Sequence, residues 1–128
     1  MKQNLIFSRL ILLFFCLAIL VGSSIPGDQI PKEFQLTPDK LIHFVEYFIL
    51  SVSLYRWLLI EFTSNNTYSL FLLTLLIGSV FGALDENYQR LTPGRTPDIW
   101  DWVLDTIGVL LAAIICHLIF SQKQKKPR

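Results

Sequence analysis

TPDKLIHFVEYF, residues 37–48, sets an aspartate, a lysine, a histidine and a glutamate at the mouth of an apolar run that continues to Ile60. Its opening is that of a helix: Thr37 suits an N-cap, Pro38 suits the first helical position, and Asp39 complements the positive end of the helix dipole. Along that helix, at about 1.5 Å per residue, His43 lies ~6 Å and Glu46 ~10 Å beyond Asp39. The three share one face, because their spacing is i, i+4, i+7. Ionisable groups at such depth are costly in hydrocarbon, so the stripe is expected to face protein or a polar cavity.

The same grammar recurs at TPDIWDWVLDTIG, residues 96–108, where Thr96 and Pro97 are expected to open a helix carrying Asp98, Asp101 and Asp105 on one face. Asp105 falls ~12 Å beyond Pro97. Two inward-facing polar stripes are thus expected to meet. Between them, DENYQRLTPGRTPD, residues 85–98, reads as a helix end followed by a tight turn at Pro93 and Gly94. Asp85 and Gln89 share a face if the preceding helix runs on for one more turn.

Four apolar stretches, about residues 5–21, 39–60, 68–84 and 97–120, each approach the ~20 residues needed to cross the hydrocarbon core. With 52% hydrophobic and 16% charged residues in 128, the chain is no soluble domain of its size. The fold class expected is an all-α membrane protein, four transmembrane helices in a compact bundle forming a single domain over residues 1–128. Lys2 and Arg9 ahead of the first run, followed by VGSSIPG, also resemble a signal peptide cut after Ser23, although the run is long and lacks an A-x-A site.

Four crossings put both termini on one side of the membrane. With the termini in the cytoplasm, 7 Lys and Arg fall inside and 4 outside, the sense that the positive-inside rule favours. The acidic residues, all but Glu61, then face outward. A net charge of +1 and a single short basic tail, Lys123–Arg128, argue against nucleic-acid binding. Cys16 and Cys116, inside apolar runs, have neither disulfide nor metal-ligand spacing and are expected to pack. His117 is expected to pack or snorkel. The Asn65-Asn66-Thr67 sequon lies on the expected inner side, and Gly78 and Gly82 form a small-xxx-small pair that suits helix–helix contact.

The candidate site is therefore a polar cup near the outer surface made by Asp39, Lys40, His43, Glu46, Asp85, Glu86, Gln89, Arg95, Asp101 and Asp105, ringed by Tyr47, Tyr88, Trp100 and Trp102 as interfacial aromatics. Three chemistries suit it. The polar groups are hydrogen-bonding glue between helices, or they bind an envelope component, or His43 works with a neighbouring carboxylate in acid–base catalysis. In the binding reading Lys40 and Arg95 clamp a phosphate or carboxylate while the acids accept from sugar or peptide amide groups. A carboxylate cluster with His43 also suits a divalent cation, but no H-E-x-x-H spacing and no motif-borne Ser or Cys nucleophile is present, so neither a metal nor a cofactor is expected, and a binding role is favoured over an enzyme.

These motifs resemble those of the VanZ-like integral membrane proteins, a family associated with glycopeptide resistance of the teicoplanin type. The pattern is D-K-x-x-H with a following aromatic, here Asp39, Lys40, His43 and Tyr47; then D-E-x-x-Q with P-G-R, here Asp85, Glu86, Gln89, Pro93, Gly94 and Arg95; then Asp101, Thr106 and Gly108 opening the last helix. Asp105 stands where the family often has Asn. The resemblance spans about residues 25–115. It implies a multi-pass protein of the bacterial cell membrane with the motifs facing outward, and the lipid bilayer and a lipid-linked or peptidoglycan-related ligand as partners. It carries no assigned reaction, substrate or cofactor, and the sequence leaves the oligomeric state open.

Overall fold

The computed structural model describes residues 2–30, 38–62 and 66–125. Among them are four α-helices and no strand: α1 (Lys2–Ser23), α2 (Pro38–Glu61), α3 (Thr67–Gln89) and α4 (Ile99–Lys125). Each is long and apolar enough to cross a membrane. The protein is an all-α membrane protein. Many large apolar side chains point outward, among them Leu10, Phe14 and Leu17 of α1 and Leu76 and Leu84 of α3, each more than half exposed. Such a surface is stable only against hydrocarbon.

The buried stripe of α2 runs His43, Tyr47, Leu50, Ser51, Leu54 and Leu58, a helical spacing that continues the polar stripe of its first turns directly into the core. Its most extensive contact is with α4, then come α3 with α4 and α1 with α2; α1 touches α3 lightly. At one end Tyr55, Leu58, Leu70 and Cys116 pack together, and in the middle Ile19, Tyr47, Leu50 and Val109 do so. Arg9 and Glu61 pair at 2.6 Å beyond the first cluster. The polar residues lie beyond the second.

Small residues set the separations of α2, α3 and α4. A Cβ on Gly108 would stand 2.5 Å from the Phe44 carbonyl oxygen, so α4 crosses α2 nearly backbone to backbone there. Gly78 admits the Val109 side chain and Gly82 lies against Tyr47 and Asp105, the packing role expected of that pair.

Two helix boundaries depart from the sequence expectation. The helix α3 runs on through Asp85 and Glu86 to Gln89 rather than stopping near Leu84. The helix α4 starts at Ile99, with Asp98 rather than Thr96 as its cap: Asp98 Oδ1 accepts from the Trp100 N–H at 3.0 Å. An aspartate two residues before an N–H satisfies it as well as a threonine would, so the helix takes the nearer cap. That bond, with Lys40 nearby, holds the Asp98 carboxyl below its ordinary pKa. The expected Thr37 cap lies outside the described residues. Asn66 caps α3 by accepting from the Ser69 N–H at 3.2 Å.

Candidate functional site

The polar ends of α2, α3 and α4 meet at one end of the bundle, as the stripes require. His43 Nδ1 lies 3.1 Å from Asp105 Oδ1, joining the stripe of α2 to that of α4. Closer to the surface, Lys40 Nζ reaches Asp98 at 3.2 Å and Asp101 at 3.9 Å. The extension of α3 brings in Asp85, Glu86 and Gln89, all buried. Glu46, half-buried on α2, lines the same region. The side chain of Asp39 lies outside the described residues.

Burial at this site is deep. Asp105 is 0% exposed, Asp85 2%, His43 6% and Glu86 7%. Both carboxyl oxygens of Asp85, both of Glu86 and Oδ2 of Asp105 have no hydrogen-bond partner. Tyr47, Ser23 and Gln89 surround Asp85, but none of them meets it in hydrogen-bonding geometry. Leaving a buried polar group unsatisfied costs ~1–3 kcal/mol, and more for a charged one.

Tyr47 corrects the sequence reading. Expected in an interfacial ring, it is fully buried, its ring 6.1 Å from that of Phe81 and its hydroxyl beside Asp85. The signal was present, since Tyr47 follows His43 by one helical turn and so shares its inward face. Trp100 and Tyr88 do lie outward, Tyr88 bonded to Ser24 at 2.9 Å, and Trp102 donates to the Ser79 carbonyl.

Arg95 is placed differently from the anion clamp expected of it. Its Nε donates to the Ile25 carbonyl at 3.1 Å and a terminal nitrogen to the Gly22 carbonyl at 2.9 Å. These acceptors belong to the end of α1 and the turn after it, where carbonyls lack helical partners and the dipole favours a cation. The guanidinium therefore ties the α3–α4 turn to α1. Around it, Thr92 Oγ1 donates to the Ser23 carbonyl at 2.9 Å and Gly27 N–H to the Pro93 carbonyl at 3.0 Å. Gly94, at φ +72°, completes the turn, and a Cβ on Gly27 would collide with the Gly94 backbone. Residues 24–30, after α1, thus lie over the polar end as a lid stitched to the PGR turn.

Arg95→Ala is accordingly expected to destabilise the protein by ~2 kcal/mol, allowing for its partial exposure, because two charge-assisted bonds are lost. Arg95→Lys should recover less than half, as an ammonium reaches only one of the two carbonyls. The melting temperature of the purified protein checks this, and a wild-type value for Arg95→Ala would contradict it.

Beneath the lid, a cavity of about 220 Å³ is lined by Gly22, Ser23, His43, Glu46, Gln89 and Arg95. A neighbouring one of about 260 Å³ shares Ile30, Gln89 and Arg95 and adds Asp101 and Thr96. At about 30 Å³ per water in the liquid, the first holds some seven waters' worth, room for one sugar-sized group. Much of its wall is apolar, from Ile19, Ile25, Ile30 and Ile42, and the two cations nearby are engaged with carboxylates and carbonyls.

The family model described as VanZ/LLP1 matches residues 3–120, taking in α1 as well as the three motif-bearing helices. No curated protein and no solved structure matches the chain.

Proposed function

The chain belongs to the VanZ/LLP1 family, and from that premise we propose that it binds the polar head of an envelope component in the chamber at the ends of α2, α3 and α4, and through it contributes to glycopeptide resistance of the teicoplanin type. The observation that carries this reading is Asp85, buried with both oxygens unpartnered behind Ser23, Gln89 and His43, which line the cavity. With Lys40 and Arg95 otherwise engaged, the chamber suits a group that donates hydrogen bonds, a sugar hydroxyl or peptide amide, better than a bare phosphate. A second reading, a membrane enzyme acting on a lipid-linked envelope intermediate, draws on the His43–Asp105 pair, in which the carboxylate orients the imidazole as a general acid–base requires.

In this proposal the protein sits in the bacterial cell membrane with the chamber outward, the sense given by the excess of basic residues at the other end. In a background with Cys16 and Cys116 replaced, an impermeant thiol reagent added to intact cells should label single cysteines at Gln29 and Leu91 but not at Asn65. Labelling at Asn65 alone reverses the orientation. The functional test is teicoplanin susceptibility: wild type should protect a host lacking the chain, and Asp85→Asn, at equal membrane abundance, should not. Equal protection by the two would remove the chamber from the function.

A further inference from the structure

We propose that His43, Glu86 and Asp105 form a site for one divalent transition-metal cation of the zinc or manganese kind. Each offers one ligand atom, and the three atoms lie within 4.8 Å of one another. The donors come from α2, α3 and α4, so no single segment shows a metal motif.

The buried state of the trio argues for a cation. Glu86 is 7% exposed with both oxygens unpartnered, and Asp105 is fully buried with Oδ2 unpartnered. Two carboxylates and a neutral imidazole balance the charge of a divalent ion, and the ion supplies the partner those oxygens lack. One nitrogen and two oxygens suit Zn²⁺, Mn²⁺ or Fe²⁺, whereas Mg²⁺ and Ca²⁺ prefer oxygen alone. At bonds near 2.1 Å, tetrahedral ligands stand about 3.4 Å apart, so the three side chains must draw in modestly on binding. Three protein ligands leave a coordination position open.

The site can be reached. His43 lines the cavity beneath the lid, while Glu86 lines a second cavity of about 250 Å³ on the other side with Asn87, Asp98 and Trp102. Asp85 and Asp101 add negative charge around Asp105 and favour a cation further. The inference goes beyond the binding proposal and does not depend on it, since Asp85, which carries that proposal, is not one of the three ligands.

The test uses full-length protein in detergent, freed of any affinity tag and of metal by chelation, and titrated with ZnCl₂ or MnCl₂ alone. Wild type should bind one equivalent, and His43→Gln, Glu86→Gln and Asp105→Asn should each weaken binding at least about tenfold. Glu61→Gln, at the far end of the bundle, should leave it unchanged. Should the trio variants fail to fold, X-ray absorption of the metal-loaded wild type decides instead, with a light N/O shell containing one imidazole expected. Failure of wild type to bind either ion, unchanged binding in all three variants, or a shell without imidazole would overturn the site.

Discussion

Gly108→Ala should cost the protein ~2–4 kcal/mol, more than any other single-methyl addition among its helical glycines. The added Cβ would lie 2.5 Å from the Phe44 carbonyl oxygen and 3.2 Å from the Phe48 nitrogen, both backbone atoms of α2 that cannot rotate away. Overpacking in a well-fitted interior commonly costs 1–3 kcal/mol, and a collision with backbone belongs at or above the upper end. Relief comes only by moving α4 away from α2, which also pulls Asp105, one helical turn before Gly108, from His43, the residue before Phe44. Function should therefore fall together with stability. Gly22→Ala is the matched control: nothing lies within 4 Å of its new Cβ, and alanine in a helix is favoured by ~0.5–1 kcal/mol. Melting temperatures of the two variants in one detergent check the pair, and a Gly108→Ala protein as stable as wild type would mean that α2 and α4 do not cross as closely as described.

Asp85→Leu should move stability and function in opposite directions. Leucine is close to aspartate in shape and removes two buried oxygens that have no hydrogen-bond partner, so a gain of ~1–3 kcal/mol is expected. Under the proposed function the carboxylate behind the chamber wall is lost at the same time, and protection against teicoplanin should vanish. Stability held below its attainable value at a binding site is the usual mark of selection for function rather than fold. If Asp85→Leu instead melts well below wild type, Asp85 is a structural partner of Tyr47, Ser23 and Gln89, and the orphaned oxygens lose their functional meaning.

Much of this was legible in the sequence, because membrane helices carry their polar groups at a price that leaves few explanations. The stripe His43–Glu46 on α2 and the stripe Asp101–Asp105 on α4 had to face inward, and they do meet, at the His43–Asp105 pair. The turn at Pro93 and Gly94 was announced by its residue types and is confirmed by the positive φ of Gly94. What escaped were contacts whose partner is backbone. Carbonyls at the end of α1 hold Arg95, and carbonyls have no letter in the sequence. The close crossing at Gly108 shows as a lone glycine until the facing Phe44 backbone is known. Glu86, expected in the cup from the sequence, meets His43 and Asp105 because α3 continues past Leu84, further than the apolar run reaches.

The central claim, that the chamber holds a ligand from the envelope, is met most directly by mass spectrometry of lipids and small molecules carried by the protein purified in mild detergent. Wild type should retain one envelope-derived molecule with a hydrogen-bond-donating head group, near one per chain, and Asp85→Leu, though at least as stable, should have lost it. A wild-type protein that is stable yet carries no specific molecule, or one whose cargo is unchanged in Asp85→Leu, would contradict the claim.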